Sequence, residues 1–107
     1  MSEQIDLAFK ALGDPTRRAI ISHLLTNKHL SAGDIAKHFE SAQPTISKHL
    51  KVLKEAGLVR DCKAGRQNIY VLCAGGLDPI QHWLKRHGKF WANSLDQLEA
   101  YLDEGSK

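Results

Sequence analysis

The segment that begins at residue 41 constrains the fold more than any other part of the chain. Three apolar residues recur there at the i, i+4, i+7 spacing of one helical face: Ile46, Leu50 and Leu53. This spacing predicts an amphipathic helix over 41–56, with Ser41 as its cap and Gly57 after its end. Such a helix requires an apolar core on one side and leaves its other side exposed to solvent.

The outer side of this helix is polar and basic. Small hydroxyl and carboxamide side chains come first and lysines follow, and this order suits the base edges and phosphates of a DNA groove. The candidate DNA contacts from the helix are Ser41, Gln43, Thr45, Ser47, Lys48, Lys51 and Lys54.

Three further helices are predicted before residue 41. The first covers about residues 5–12, and the second begins at Asp14-Pro15, where Asp14 can cap the free amides and Pro15 has no N–H to leave unpaired. Ser31 followed by Asp34 is similar to a capping box and predicts a short third helix. A short helix and a tight turn before a polar-faced helix are typical of a helix-turn-helix.

A β-hairpin is predicted over residues 59–72. Two stretches rich in Val, Ile and Tyr flank Lys63-Ala-Gly-Arg66, so Lys63 and Arg66 are candidate DNA contacts at a basic tip. The predicted fold is mainly α with a small β-hairpin wing, a winged helix-turn-helix in the order α-α-α-α-β-β-α.

The charge distribution agrees with this location. The chain has 15 basic residues (Lys and Arg) and 12 acidic residues (Asp and Glu). Residues 41–70 contain six basic and two acidic residues, a net charge of +4. Residues 1–40 contain five of each and are neutral, and residues 71–107 contain four basic and five acidic residues, a net charge of −1. A length of 107 residues indicates one domain, 1–107, without room for a separate catalytic domain. Because no phosphate loop, nucleophile elbow or acid–base pair is recognisable, an enzyme is not predicted.

The chain ends in a long amphipathic helix, predicted over 77–103. Its apolar stripe is Ile80, Leu84, His87, Trp91, Leu95, Leu98 and Leu102, widened by Trp83, Phe90 and Tyr101. Such a stripe needs a covering surface, which is either the chain's own core or a second copy.

Four motifs and the basic hairpin resemble the ArsR-type bacterial transcriptional repressors. The motifs are Ala11-Leu-Gly-Asp-Pro-Thr-Arg-Arg18, Ala36-Lys-His-Phe39, Ser41-Ala-Gln-Pro-Thr-Ile-Ser-Lys-His-Leu50 and Leu53-Lys-Glu-Ala-Gly-Leu-Val59. The resemblance covers about residues 5–72 and implies a homodimeric repressor that binds a pseudo-palindromic double-stranded DNA operator. It also implies that the first and last helices, 1–12 and 77–103, form the dimer interface. The interface candidates are Ile5, Phe9, Ile80, Trp83, Leu84, His87, Trp91, Leu95 and Leu98.

The metal sites of such repressors are not expected here. Where arsenic-type sensors carry Cys-Val-Cys-Asp, this chain has Ser31-Ala-Gly-Asp34. Counted from Asp78, the other three positions of the zinc-type site on the last helix hold Ile80, Trp91 and Ser94. His82 and His87 are five residues apart rather than four. No metal and no cofactor are therefore predicted.

Two alternatives stay open. One is a winged-helix module that binds a protein. The other is a regulator that responds to a thiol oxidant, through Cys62 and Cys73, or to a small molecule near the aromatic residues of the last helix. A turn at Ala64-Gly65 would place Cys62 opposite Gln67 and Cys73 about 20 Å further along. That distance excludes an intrachain bridge and favours two free, half-buried thiols.

The expected compartment is the cytoplasm. The first residues contain no basic and apolar signal sequence, and no stretch of the chain has the roughly 18 apolar residues of a membrane span. The expected partners are operator DNA and a second copy, with no membrane and with a small-molecule inducer left open.

Overall fold

The computed structural model describes residues 2–40 and 42–105, which contain five helices and three strands. In chain order these are α1 (Ser2–Leu12), α2 (Pro15–Asn27), β1 (His29–Ser31), α3 (Ala32–Ala36), α4 (Gln43–Glu55), β2 (Val59–Ala64), β3 (Gln67–Leu72) and α5 (Asp78–Gly105). The chain divides into two units, of which the first ends at Leu77 and the second begins at Asp78. Across these described residues, no helix has the length and apolar character needed to cross a membrane.

The starts of α2 and α3 have the predicted caps. The Asp14 carboxylate accepts a hydrogen bond from the backbone N–H of Arg17 at 3.0 Å, and Pro15 is the first helical residue. The Ser31 hydroxyl oxygen accepts one from the backbone N–H of Asp34 at 3.1 Å. Both bonds satisfy amides that the first turn of a helix leaves unpaired, so these two predictions are confirmed.

Helix α4 is capped one residue later than predicted. Its N-cap is Ala42, which makes no side-chain capping bond, and Pro44 lies in the first turn. If Ser41 were the cap, Pro44 would be the third helical residue. A capping side chain commonly accepts a hydrogen bond from the backbone N–H at that position, and proline has no N–H. The predicted range of 41–56 is therefore corrected to Gln43–Glu55, and Ser41 itself lies outside the described residues.

The core of the first unit forms around the apolar face of α4. Ile46, Leu50 and Leu53 are fully buried, as the spacing predicts. They belong to one cluster with Ile20 and Leu24 of α2, Ile35 of α3, and Leu58 and Val59 beside the start of β2. Gly57, with a φ of 76°, allows the chain to leave the helix and enter β2. Burial of this face directs the opposite face of α4 outward.

The sheet contains a strand that the sequence analysis misses. β1 pairs antiparallel with β3, which lies between β1 and β2 in a three-stranded sheet. The predicted element order therefore gains a strand before α3. Three residues are too few to show a period-two pattern, and the partner strand of β1 is distant in the chain, so nothing local indicates this pairing.

The turn of the wing, residues 59–72, lies one residue later than predicted. Ala64 pairs with Gln67, so Gly65 and Arg66 form the loop and Cys62 lies opposite Ile69 rather than Gln67. Gly65 has a φ of 64°, and a two-residue hairpin loop favours glycine at a first position with positive φ.

The two thiols do not form a disulfide. Cys73 is four residues beyond Ile69, the partner of Cys62, or about 14 Å along an extended strand. Both cysteines are free, and Cys73 is half-buried as expected. Cys62 is exposed, so the expectation of a half-buried side chain is wrong for this residue.

Candidate nucleic-acid interface

The outer face of α4 presents the predicted DNA contacts to solvent. Gln43, Thr45, Ser47, Lys48 and Lys51 are all exposed, opposite the fully buried apolar face. The first half of the helix offers hydroxyl and carboxamide groups, which can form hydrogen bonds with base edges. The lysines that follow can pair with phosphates.

The wing adds two exposed cations. Lys63 lies near the end of β2, and Arg66 occupies the second position of the two-residue loop. Both side chains are exposed. A guanidinium at such a tip is suited to a narrow minor groove, whose negative potential attracts arginine.

An open cavity of about 360 Å³ lies between the start of α4 and the wing. It is lined by Ser31, Ala32 and Gly33 at the β1–α3 junction, by Gln43 and Ser47 of α4, and by Arg66, Gln67, Asn68 and Tyr70 of the wing. Arg66 is the one ionised side chain in this lining at neutral pH. The sequence analysis misses Gln67 and Asn68, because these residues border the cavity only once the hairpin folds back beside α4.

Lys54 has a partner within the chain. Its Nζ lies 2.8 Å from Oδ1 of Asp61 on β2, and this hydrogen bond and the charge of Asp61 raise the pKa of Lys54. Tyr70 is the strand partner of Asp61, and burial raises the pKa of its phenol. The ion pair joins the last turn of α4 to the wing, and the predicted DNA contact of Lys54 stays a prediction.

The Arg17 guanidinium contacts α1 and α4 at the same time. Nε donates to the carbonyl oxygen of Ala11 at 2.7 Å, and Nη2 donates to that of Lys10 at 3.0 Å. Nη1 lies 3.2 Å from Nδ1 of His49 on α4. Because arginine has donors only, His49 Nδ1 is the acceptor in this hydrogen bond. The bonds to α1 satisfy carbonyls that a helix end leaves unpaired.

A hydrogen bond from α1 reaches the C-terminal end of α4 directly. Gln4 Nε2 donates to the carbonyl oxygen of Ala56, the C-cap of α4, at 2.8 Å.

Asp14 Oδ2 lies 3.9 Å from His49 Nδ1. The hydrogen bond from the backbone N–H of Arg17, together with the positive charge of the Arg17 guanidinium, lowers the pKa of Asp14. Sequence reasoning assigns Asp14 a capping role only and misses Gln4 and Arg17, because their partners are remote in the chain.

The residues predicted for a dimer interface lie on α1 and α5. On α1, Ile5 is half-buried and Phe9 is 42% exposed. On α5, Ile80 is buried, whereas Leu84 and Leu98 are 50% and 52% exposed. Among the described side chains of α5, Trp83, Phe90, Tyr101 and Leu102 are also large, apolar and exposed.

Three further interface candidates lie on α5. His87 stacks on Trp83 with ring centroids 4.4 Å apart, and its Nδ1 lies 2.9 Å from the Trp83 carbonyl oxygen. Trp91 and Leu95 also belong to this helix, but their side chains lie outside the described part of the structure.

The histidines and carboxylates do not assemble into a metal site in the described ranges 2–40 and 42–105, where no group of three or more His, Cys, Asp or Glu could hold an ion. His23 stacks on His38 with ring centroids 4.1 Å apart, and Phe39 meets His23 edge-on. These rings therefore have aromatic neighbours.

The order of these elements defines a class of protein. A short helix, a turn and an exposed polar helix, followed by a β-hairpin with a basic tip, form a winged helix-turn-helix.

Comparison with known proteins agrees with this class. A family model described as a helix-turn-helix domain matches residues 12–62. An HTH-type transcriptional regulator of Mycobacterium tuberculosis is 39% identical over 98 residues, which cover 92% of this chain and 88% of that protein. The transcriptional repressor SdpR of Bacillus subtilis is 42% identical over 76 residues, which cover 71% and 83%. The crystal structure of an ArsR family transcriptional regulator superposes on this chain with a TM-score of 0.78 at 30% sequence identity. The match covers 86% of this chain and 94% of that protein.

The chain belongs to the ArsR family of winged helix-turn-helix transcriptional repressors. Its biochemical role is therefore DNA binding in the regulation of transcription.

Proposed function

We propose that the protein is a homodimeric repressor that binds a pseudo-palindromic operator. In each half-site, α4 enters the major groove and the wing, residues 59–72, contacts the flanking groove. One observation carries this proposal: the exposed start of α4 and the tip of the wing border the same open cavity, so a single DNA segment can contact both.

Electrostatics supports a dimer over a monomer on DNA. The net charge of +4 over residues 41–70 is enough for one protomer to neutralise only a few phosphates. Two protomers related by a twofold axis double these contacts and bind two half-sites. The binding constant should then fall steeply with salt concentration, because each phosphate contact releases bound counterions.

The proposed dimer interface comprises the apolar stripe of α5 and, separately, Ile5 and Phe9 of α1. Leu84, Leu98 and Leu102 lie within about 40° of one another on the helix and are at least half exposed. A helix of 28 residues is about 42 Å long, so the stripe offers a long contact. A second copy presents the same stripe and can cover it in the manner of a coiled coil.

The proposal also includes a release signal other than the known metals. The start of α3, Ser31-Ala-Gly-Asp34, has no thiol to bind arsenic. On α5, Ile80 and Trp91 replace metal-binding side chains with apolar ones. Zinc or arsenite at micromolar concentration should leave the affinity for DNA unchanged, which a titration in a fluorescence anisotropy assay measures.

Selection of bound sequences from a random duplex pool tests the main proposal. The enriched sequences should contain two inverted half-sites whose centres are one helical turn, about 34–36 Å, apart or a multiple of it. Lys48→Ala should weaken the enrichment, whereas Lys89→Ala, which removes an exposed lysine of α5, should not. A pool that shows no enrichment after several rounds would contradict sequence-specific binding.

A further inference from the structure

The cavity between the start of α4 and the wing separates the two elements proposed to enter neighbouring DNA grooves. In duplex DNA, the sugar-phosphate backbone is the ridge that separates the major groove from the minor groove. A protein that places a helix in one groove and a hairpin tip in the next must therefore accommodate this ridge between them. In this chain an open cavity lies between α4 and the wing, with Gln43 and Ser47 on one side and Arg66, Gln67 and Asn68 on the other.

The lining of the cavity has the chemistry of a phosphodiester site. It contains one guanidinium and no carboxylate, together with the side-chain amides of Gln43, Gln67 and Asn68. Within residues 2–40 and 42–105, these three side chains form no hydrogen bond with another residue, so their N–H groups are available. Sites for apolar small molecules are instead lined mostly by hydrophobic side chains.

We infer that this cavity holds the backbone of one DNA strand at the boundary of the two grooves, and that Gln67 and Asn68 are phosphate-contacting residues. This inference rests on the proposed function. The carboxamides of Gln67 and Asn68 donate to non-bridging phosphate oxygens, and Arg66 supplies the countercharge. The contact fixes the angle between α4 and the wing on the duplex, because both sides of the cavity hold the same strand.

The inference predicts a specific pattern of affinities. A hydrogen bond from a neutral amide to a phosphate does not depend on base sequence, so Asn68→Ala should weaken binding of operator and scrambled duplex by the same factor, about tenfold. Because no charge is removed, the slope of log K against log salt should not change. Arg66→Ala should instead reduce that slope by about one per protomer.

A methylphosphonate scan of the selected operator tests the contact directly. Each backbone position is replaced in turn by a neutral methylphosphonate, and the affinity of the wild-type protein, Asn68→Ala and Gln67→Ala is measured for every duplex. We expect one position in each half-site whose replacement weakens wild-type binding about tenfold and has much less effect on Asn68→Ala. Asn93→Ala, which removes an exposed carboxamide from α5, should retain the wild-type profile.

The outcomes separate this inference from the proposed function. If both wing variants fold, bind the operator and give the same scan profile as wild type, the cavity does not hold the backbone, and the proposed repressor function is unaffected. If wild-type protein binds operator and scrambled duplex equally, the proposed sequence-specific function is wrong, and the methylphosphonate scan still decides the phosphate contact, because that contact does not depend on base sequence. Thermal melting followed by circular dichroism confirms folding of the variants, and Gln67→Ala serves as the second variant where Asn68→Ala is destabilised.

Discussion

Two amphipathic helices of this molecule, α4 and α5, differ in the burial of their apolar residues. On α4, Ile46, Leu50 and Leu53 are fully buried in the core of the first unit. On α5, Leu98 and Leu102 have the same helical spacing but are 52% and 58% exposed. The first helix has used its apolar face within the chain, and this leaves its polar face for a ligand. The second leaves apolar side chains exposed.

The contrast shows what an apolar stripe can and cannot predict. Periodicity indicates that a helix forms and which of its faces is apolar, because the 3.6-residue repeat fixes the geometry. It does not indicate whether the covering surface belongs to the same chain. That distinction depends on how much apolar surface the rest of the chain offers, which only the folded structure reveals.

The largest expected effect is on the buried face. Leu50→Ala should lower the free energy of unfolding by about 2–5 kcal/mol, because it removes a fully buried side chain and leaves a cavity. Lys51→Ala, which changes an exposed neighbour, should alter it by less than about 0.5 kcal/mol. Denaturant titration measures both. Equal destabilisation by the two variants would contradict the assignment of the inner and outer faces of α4.

The exposed stripe should affect association rather than folding of the first unit. Leu98→Glu is expected to raise the dimer dissociation constant about 30-fold or more, because it places a charge in an apolar contact. Gln97→Glu adds the same charge about 100° away around the helix and should have little effect. Sedimentation equilibrium gives the two constants. The same constant for both variants would mean that a second copy does not cover this stripe.

The bonds that Arg17 of α2 makes with α1 and α4 should affect stability and DNA affinity together. Arg17→Met removes the bonds to Lys10, Ala11 and His49, and we expect a loss of about 1–3 kcal/mol in unfolding free energy. Weaker operator binding should accompany it, because α4 loses a hydrogen bond that holds it.

Arg18→Met is the matched control for this prediction. Arg18 donates to the Leu12 carbonyl oxygen at 2.6 Å. Its substitution should therefore cost some stability and leave the affinity for DNA near that of the wild type. If the two variants bind operator with equal affinity, Arg17 has no positioning role beyond general stability.

The smallest expected effect is on the stability of the protein at low pH. The pKa of Asp14 is lower in the folded protein than in the unfolded chain, so its charge stabilises the fold fully above the unfolded pKa of about 3.9. This contribution is lost as the pH falls through the folded pKa. Asp14→Asn keeps a capping oxygen without the charge. The difference in unfolding free energy between wild type and Asp14→Asn should be constant above about pH 5 and shrink below pH 4. A difference independent of pH would contradict the role of the charge.

Local features of the sequence predict much of the fold. The caps at Asp14 and Ser31, the apolar face of α4 and the basic hairpin all depend on residues close together in the chain. The strand β1 could not be predicted, because its pairing with β3 joins remote segments. The turn predicted at Ala64-Gly65 is one residue early, although Gly65 at the first position of the observed loop agrees with the preference of a two-residue turn.

The candidate site divides in the same way. The exposed residues of α4 follow from helical geometry once its apolar face is known, so these candidates are predictable from sequence. Gln67 and Asn68 border the cavity only because the hairpin folds back beside α4. Gln4 and Arg17 reach α4 from elements far from it in sequence. No local pattern predicts contacts of this kind.

The affinity of wild type and Lys48→Ala for the selected operator and for a scrambled duplex tests the central claim most directly. At physiological salt, wild type should bind the operator at least about 10³-fold more tightly than the scrambled duplex. Lys48→Ala should lose about 1–3 kcal/mol on the operator. Equal affinity of wild type for the two duplexes would contradict the assignment of α4 and the wing as a sequence-specific DNA-binding surface.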